Sequence, residues 1–97
     1  MRVTVVICTY TLNRYEAFND AIASVRAQTY DDVDIVLVSD GNEVVYEKMR
    51  SEYGDVDNMT LHCNSQVLGI GPSRNKGAEL GTGDIVAFID DDSTATE

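Results

Sequence analysis

Four short apolar runs alternate along the chain with three stretches whose apolar residues recur at helical spacing. Residues 3–8, Val-Thr-Val-Val-Ile-Cys, are β-branched and nearly all apolar, which predicts a strand buried on both faces. Residues 15–28 place Phe18, Ala21, Ile22 and Val25 on one helical face, a stripe suited to packing on a sheet. A second strand is expected at 35–39. A second helix follows at 44–53, with Val45, Met49 and Tyr53 on one face and Gly54 as its stop. A third, weaker strand covers 59–63 and a third helix 72–80, with Pro72 suited to its first turn. Gly81-Thr82-Gly83-Asp84 reads as a turn into a fourth strand, 85–89, which delivers Asp90, Asp91 and Asp92.

The order β-α-β-α-β-α-β, uninterrupted by linker, repeat or low-complexity segment, predicts an α/β fold. It is one three-layer, Rossmann-like domain over residues 1–97, around a mostly parallel sheet with right-handed crossovers. Ligands on such sheets bind at the carboxyl ends of the strands. That rule selects the loops at 9–14, 40–43, 64–74 and 90–93, and the chemically interesting polar residues all fall in them.

Composition narrows the functional classes. Seventeen acidic residues oppose seven basic ones, for a formal net charge of −10. A surface of that sign repels nucleic acid, so no nucleic-acid partner is expected. Lysine is confined to Lys48 and Lys76, and Asp outnumbers Glu. That balance fits a halophilic protein, because salt screens the self-repulsion; an ordinary acidic domain is the alternative. No apolar run approaches the roughly 20 residues of a membrane helix, so no transmembrane segment is expected. The start runs straight into a strand pattern without a charged leader, and a cytoplasmic location is expected. Cys8 and Cys63 both close apolar runs and read as reduced, buried thiols.

The strongest local signal is Asp90-Asp91-Asp92 at a strand end. Three adjacent carboxylates repel one another, and a cation recovers that energy. Their hard oxygens suit Mn²⁺ or Mg²⁺, and an ion held there could bridge to a diphosphate. A second signal is Gly69-Ile70-Gly71-Pro72-Ser73-Arg74-Asn75-Lys76-Gly77. Its glycines let backbone amides approach an anion at a helix N-terminus, and Arg74 can fork onto phosphate oxygens. Thr9-Tyr10 follows the first strand, where a tyrosine can stack on a base. Asp40 follows the second, where a carboxylate can accept hydrogen bonds from a base or ribose.

Taken in order, these pieces resemble the N-terminal half of family 2 glycosyltransferases, which have the GT-A fold. Val5-Val6-Ile7-Cys8-Thr9-Tyr10 is similar to the family's first strand and base-binding turn. Residues 24–30 are similar to its helix-end signature and residues 35–41 to its second strand. Gly69 through Gly77 resembles its Gly-x-x-x-Ala-Arg-Asn-x-Gly stretch, and residues 83–92 its Asp-x-Asp strand. The resemblance implies binding of a nucleoside-diphosphate sugar, most often a UDP-sugar. Thr9 and Tyr10 would border the base, Asp40 would hydrogen-bond it, and Arg74 would lie near base or diphosphate. Asp91 would approach the ribose, and Asp90 and Asp92 would frame the metal. It implies transfer with inversion by single displacement, the ion neutralising charge on the departing diphosphate.

The chain departs from the family pattern at three places. Thr11-Leu12 separate Thr9-Tyr10 from Asn13-Arg14, Ser39 stands where the family has a first aspartate, and Cys8 stands where proline is common. The family's acceptor site and acidic general base come later than the metal motif, and no residue here matches that base. A truncated GT-A fold without an acceptor-binding part is therefore expected, inactive by itself and with no catalytic residue to assign. The fourth strand, internal in the family, would be left on an edge, which predicts a homo-oligomer formed through it. Two rival readings are a non-catalytic nucleotide-binding or interaction module, and a haloacid-dehalogenase-like phosphatase built on Asp90-x-Asp92-x-Thr94.

Overall fold

A computed structural model describes residues 2–27 and 32–90. Four strands, β1 (Val3–Thr9), β2 (Val33–Ser39), β3 (Met59–Cys63) and β4 (Ile85–Asp90), form one sheet in the order β3-β2-β1-β4. Every pairing is parallel: Val3 lies opposite both Val33 and Ile85, and Ile35 lies opposite Met59. The connecting helices are α1 (Tyr15–Arg26), α2 (Glu43–Tyr53) and α3 (Ile70–Leu80). The α/β architecture expected from the sequence is therefore present.

Strand alternation divides the core into two. Val5 and Ile7 of β1 and Val33, Ile35 and Leu37 of β2 pack against Phe18, Ala21, Ile22 and Val25 of α1 and Val45 and Met49 of α2. Val6, Cys8, Val36 and Val38 point the other way, toward Leu80 of α3. Burying each such large side chain contributes roughly 1.5–3 kcal/mol, and β1 and β2 are covered on both faces. Gly77 lets α3 lie directly on the sheet, since a Cβ there would collide with the Val6 side chain.

The boundaries differ from the sequence reading in instructive ways. β2 begins at Val33 and not at 35, so Asp34 lies inside a strand and is 4% exposed. Its carboxylate is satisfied there: Oδ2 accepts from Thr82 N at 2.9 Å, Thr4 Oγ1 at 3.2 Å and Thr82 Oγ1 at 3.3 Å. An aspartate breaks an apolar run in sequence, but donors from a turn 48 residues away keep it buried. β1 extends through Thr9, and a 3-10 turn, Leu12–Arg14, fills the loop before α1. α3 starts at Ile70, two residues before Pro72, which still sits in the first turn. The expected end of the first helix at Gln28 and the signature residues Thr29 and Tyr30 lie outside the described residues. The expected pair of buried thiols is met at Cys8 alone; Cys63 is only partly buried.

Candidate functional site

β1 sits between β2 and β4, and the chain reverses its direction of progress across the sheet there. The first two crossovers step outward to β2 and β3, and the third returns over β1 to β4. Adjacent loops diverge at such a switch point and leave a crevice beyond the carboxyl ends of the strands. Thr9 ends β1, Asp40 follows β2, Asn64 follows β3 and Asp90 ends β4 opposite Cys8. All four selected loops thus begin on one edge of one sheet.

The loops are cross-braced. Asp40 N donates to Thr9 O at 2.8 Å, and Asn64 N donates to Ser39 O at 2.9 Å. Asn42 caps α2 by accepting from Val45 N at 3.1 Å, while its Nδ2 donates to Tyr10 O at 3.1 Å. Gly41, at φ 74°, has its Cα against the Val67 backbone, a conformation and contact that exclude a side chain.

Thr9 is 2% exposed and Tyr10 54%, so the tyrosine alone of that pair stands out at the crevice mouth. Asp40 is 7% exposed. Its Oδ1 accepts from Leu68 N at 2.8 Å and Asn64 Nδ2 at 3.0 Å, and its Oδ2 from Gly69 N at 2.9 Å. Burial would raise the Asp40 pKa. The hydrogen bonds from Leu68, Asn64, Gly69 and Ser73 together outweigh it and hold the carboxyl below the ordinary carboxylate value. The anion at the start of α3 is thus supplied from inside the protein. Arg74, in the second turn of α3, lies over the Phe88 ring of β4, 5.6 Å from its centroid, on the side of the sheet that α3 covers.

Asp90 is the last residue of β4, on the same edge, while Asp91 and Asp92 lie outside the described residues. Among the described residues no group of three His, Cys, Asp or Glu side chains could hold a metal ion. Asp90, Asp91 and Asp92, the carboxylates expected from the sequence to hold Mn²⁺ or Mg²⁺, are hard oxygen donors of the kind those ions take. Asn64 and Ser73 were given no separate role by the sequence. Asn64 is 5% exposed, its Nδ2 bridges Asp40 and Ser73 Oγ (2.9 Å), and its Oδ1 lies 3.1 Å from His62 Nε2.

The comparisons bear on this arrangement directly. The description of Glycosyl transferase family 2 matches residues 4–97. The chain belongs to that family. It is 54% identical over 95 residues to a glucosyl-dolichyl phosphate glucuronosyltransferase of Haloferax volcanii, covering 98% of this chain and 30% of that protein. The chain thus spans less than a third of that relative's length. Among solved structures, S. aureus TarS 1–349 superposes with a TM-score of 0.81 at 22% identity, over 97% of this chain and 28% of that one. The mannosyltransferase PcManGT of Pyrobaculum calidifontis, in complex with GDP-Man and Mn²⁺, gives 0.75 at 25% identity, over 96% and 28%. The parallel sheet with its helices matches these GT-A neighbours, and the family match over 4–97 sets the phosphatase reading aside.

Proposed function

We propose that this chain builds the donor site of a glycosyltransferase, binding a nucleoside-diphosphate sugar at the carboxyl edge with Mn²⁺ or Mg²⁺. The observation that carries it is the convergence of Tyr10, Asp40, the 64–74 loop and Asp90 on one edge at the sheet's switch point. Tyr10 borders the base, with buried Thr9 behind it at the end of β1; Arg74 serves base or diphosphate, Asp91 approaches the ribose, and Asp90 and Asp92 frame the metal. The ion, when bound, neutralises charge on the departing diphosphate. The chain's own residues orient the nucleotide: Tyr10 offers a ring face at the mouth, and Arg74, braced over Phe88, offers a planar cation.

UDP is the proposed nucleotide. Kinship with the Haloferax enzyme favours an activated uronic acid as donor and a lipid-phosphate-linked sugar as acceptor. Transfer with inversion requires a base to take the acceptor proton, and no residue here matches the family's. The chain by itself therefore binds donor without turnover. β4 borders β1 alone among the described strands and exposes Ile85, Val86 and Phe88, which favours self-association along it; a strictly monomeric mass by light scattering at high concentration would contradict this.

Calorimetric titration of UDP and GDP, with and without Mn²⁺, tests the reading. Metal-dependent binding that is lost in Asp92→Ala is expected. Binding indifferent to Mn²⁺ and to that substitution, or no binding at all, would overturn it.

A further inference from the structure

Asn64, just past β3, is buried, and its side chain meets three others. Its Nδ2 donates to Asp40 Oδ1 at 3.0 Å and to Ser73 Oγ at 2.9 Å, and its Oδ1 is 3.1 Å from His62 Nε2. His62 lies opposite Val38, on the sheet face that α3 covers. Chemistry fixes the direction of each bond. An ionised carboxylate only accepts, so the amide nitrogen faces Asp40 and the amide oxygen faces His62. That oxygen also only accepts, so the His62 hydrogen sits on Nε2. A one-way chain of donors therefore runs from half-buried His62 through Asn64 to Asp40. The amides of Leu68 and Gly69 hold the same carboxylate from the loop before α3, and Asn64 holds it from the side of β3.

We infer that Asn64, itself oriented by His62 and Ser73, is the positioning residue behind Asp40. It fixes the plane of the carboxylate that the family resemblance sets against the nucleotide base, and so governs how sharply the site tells one base from another. This role rests on the donor site proposed above. A side chain that reads a base discriminates only as well as its own supports hold it, and neither Asn64 nor His62 has to touch the nucleotide to act.

Affinities for UDP, GDP and CDP in Mn²⁺ test the role. Uracil and guanine offer a carboxylate a ring N–H, whereas N3 of cytosine accepts. Asn64→Ala should weaken UDP and GDP by about tenfold and CDP far less, so that selectivity falls. His62→Leu should act in the same direction by about threefold, and His62→Gln, whose amide nitrogen can stand in for Nε2, should restore the parent selectivity. His62→Leu, at a half-buried position, decides the matter should Asn64→Ala fail to fold. A second readout needs no nucleotide. His62 is the only histidine in the sequence, so ring ¹⁵N shifts in alkaline buffer, where imidazole is neutral, report it alone. The parent should show the Nε2–H tautomer, and Asn64→Ala a mixture. A ring protonated on Nδ1, or a tautomer ratio that Asn64→Ala leaves as it was, would overturn the chain of donors. Loss of all three affinities by one factor, without rescue by glutamine, would mark a merely structural part and overturn the role. A parent chain that binds none of the nucleotides would sink the donor site and this role with it. A parent that binds UDP while the variants keep its selectivity would sink the role alone.

Discussion

β2 has an aspartate at each end, and the two solve the same problem with different consequences. Asp34, near its start, takes Thr82 N, Thr82 Oγ1 and Thr4 Oγ1. Asp40, just past its end, takes Leu68 N, Gly69 N and Asn64 Nδ2. Each buried carboxylate collects donors from a distant loop, and each thereby fastens a loop to the sheet. The amino edge is closed: Gly83 N also donates to Thr4 Oγ1 at 2.7 Å, and Arg2 N to Asp84 Oδ2 at 3.1 Å, so the turn before β4 is sewn to β1. The carboxyl edge fastens the loop that borders the crevice. One chemistry is architectural at one end and preparatory for a ligand at the other.

The contrast can be broken at either end. The largest loss is expected from Asp34→Ala, which strands a backbone amide and a hydroxyl in a closed site and should cost about 3 kcal/mol by chemical denaturation. Nucleotide affinity below the melting transition should stay as it was. Gly77→Ala drives a methyl into Val6 and should cost roughly 2 kcal/mol by overpacking, measured the same way. Asp40 should show itself in acid. Its folded pKa is depressed, so its stabilisation is complete above the ordinary carboxylate value of about 4 and is lost as pH falls through the folded value. Unfolding free energy followed between neutral and acid pH should lose that component in Asp40→Asn. The smallest effect is expected from Phe88→Ala. The stacked Arg74 loses a contact worth about 0.5–1 kcal/mol, visible as a few-fold weaker UDP binding with little change in melting.

Net charge sharpens the comparison at the level of the whole surface. With a formal charge of −10, the melting temperature should climb from low salt toward molar KCl as repulsion is screened. Melting indifferent to salt would rule out adaptation of this surface to high salt.

The alternating pattern made the sheet and its layers legible, because β1 and β2 are buried on both faces and α1 has one continuous apolar stripe. The motif order made the family legible. What escaped the sequence was polar and long-range. The pattern starts the second strand at 35, because Asp34 is polar and its donors come from the distant residues 4 and 82. The partners of Asp40 are backbone amides 28 and 29 residues on, and an amide leaves no mark in a sequence. The glycine loop promised an anion at α3, but only the fold reveals that the protein provides one. Thr9 looked like a partner to Tyr10 in the crevice; strand pairing continues one residue further than the pattern implied and buries it.

The central claim is that metal and nucleotide meet at the carboxyl edge, and paramagnetic Mn²⁺ reports it most directly. In amide NMR spectra of the chain with UDP, substoichiometric Mn²⁺ should broaden Thr9, Tyr10, Leu68, Gly69 and Asp90 first, and leave Arg2, Asp34, Thr82 and Gly83 sharp. Seventeen acidic side chains offer the ion many weaker places to go. Broadening spread over the acidic surface, or strongest at the amino edge, would contradict the claim.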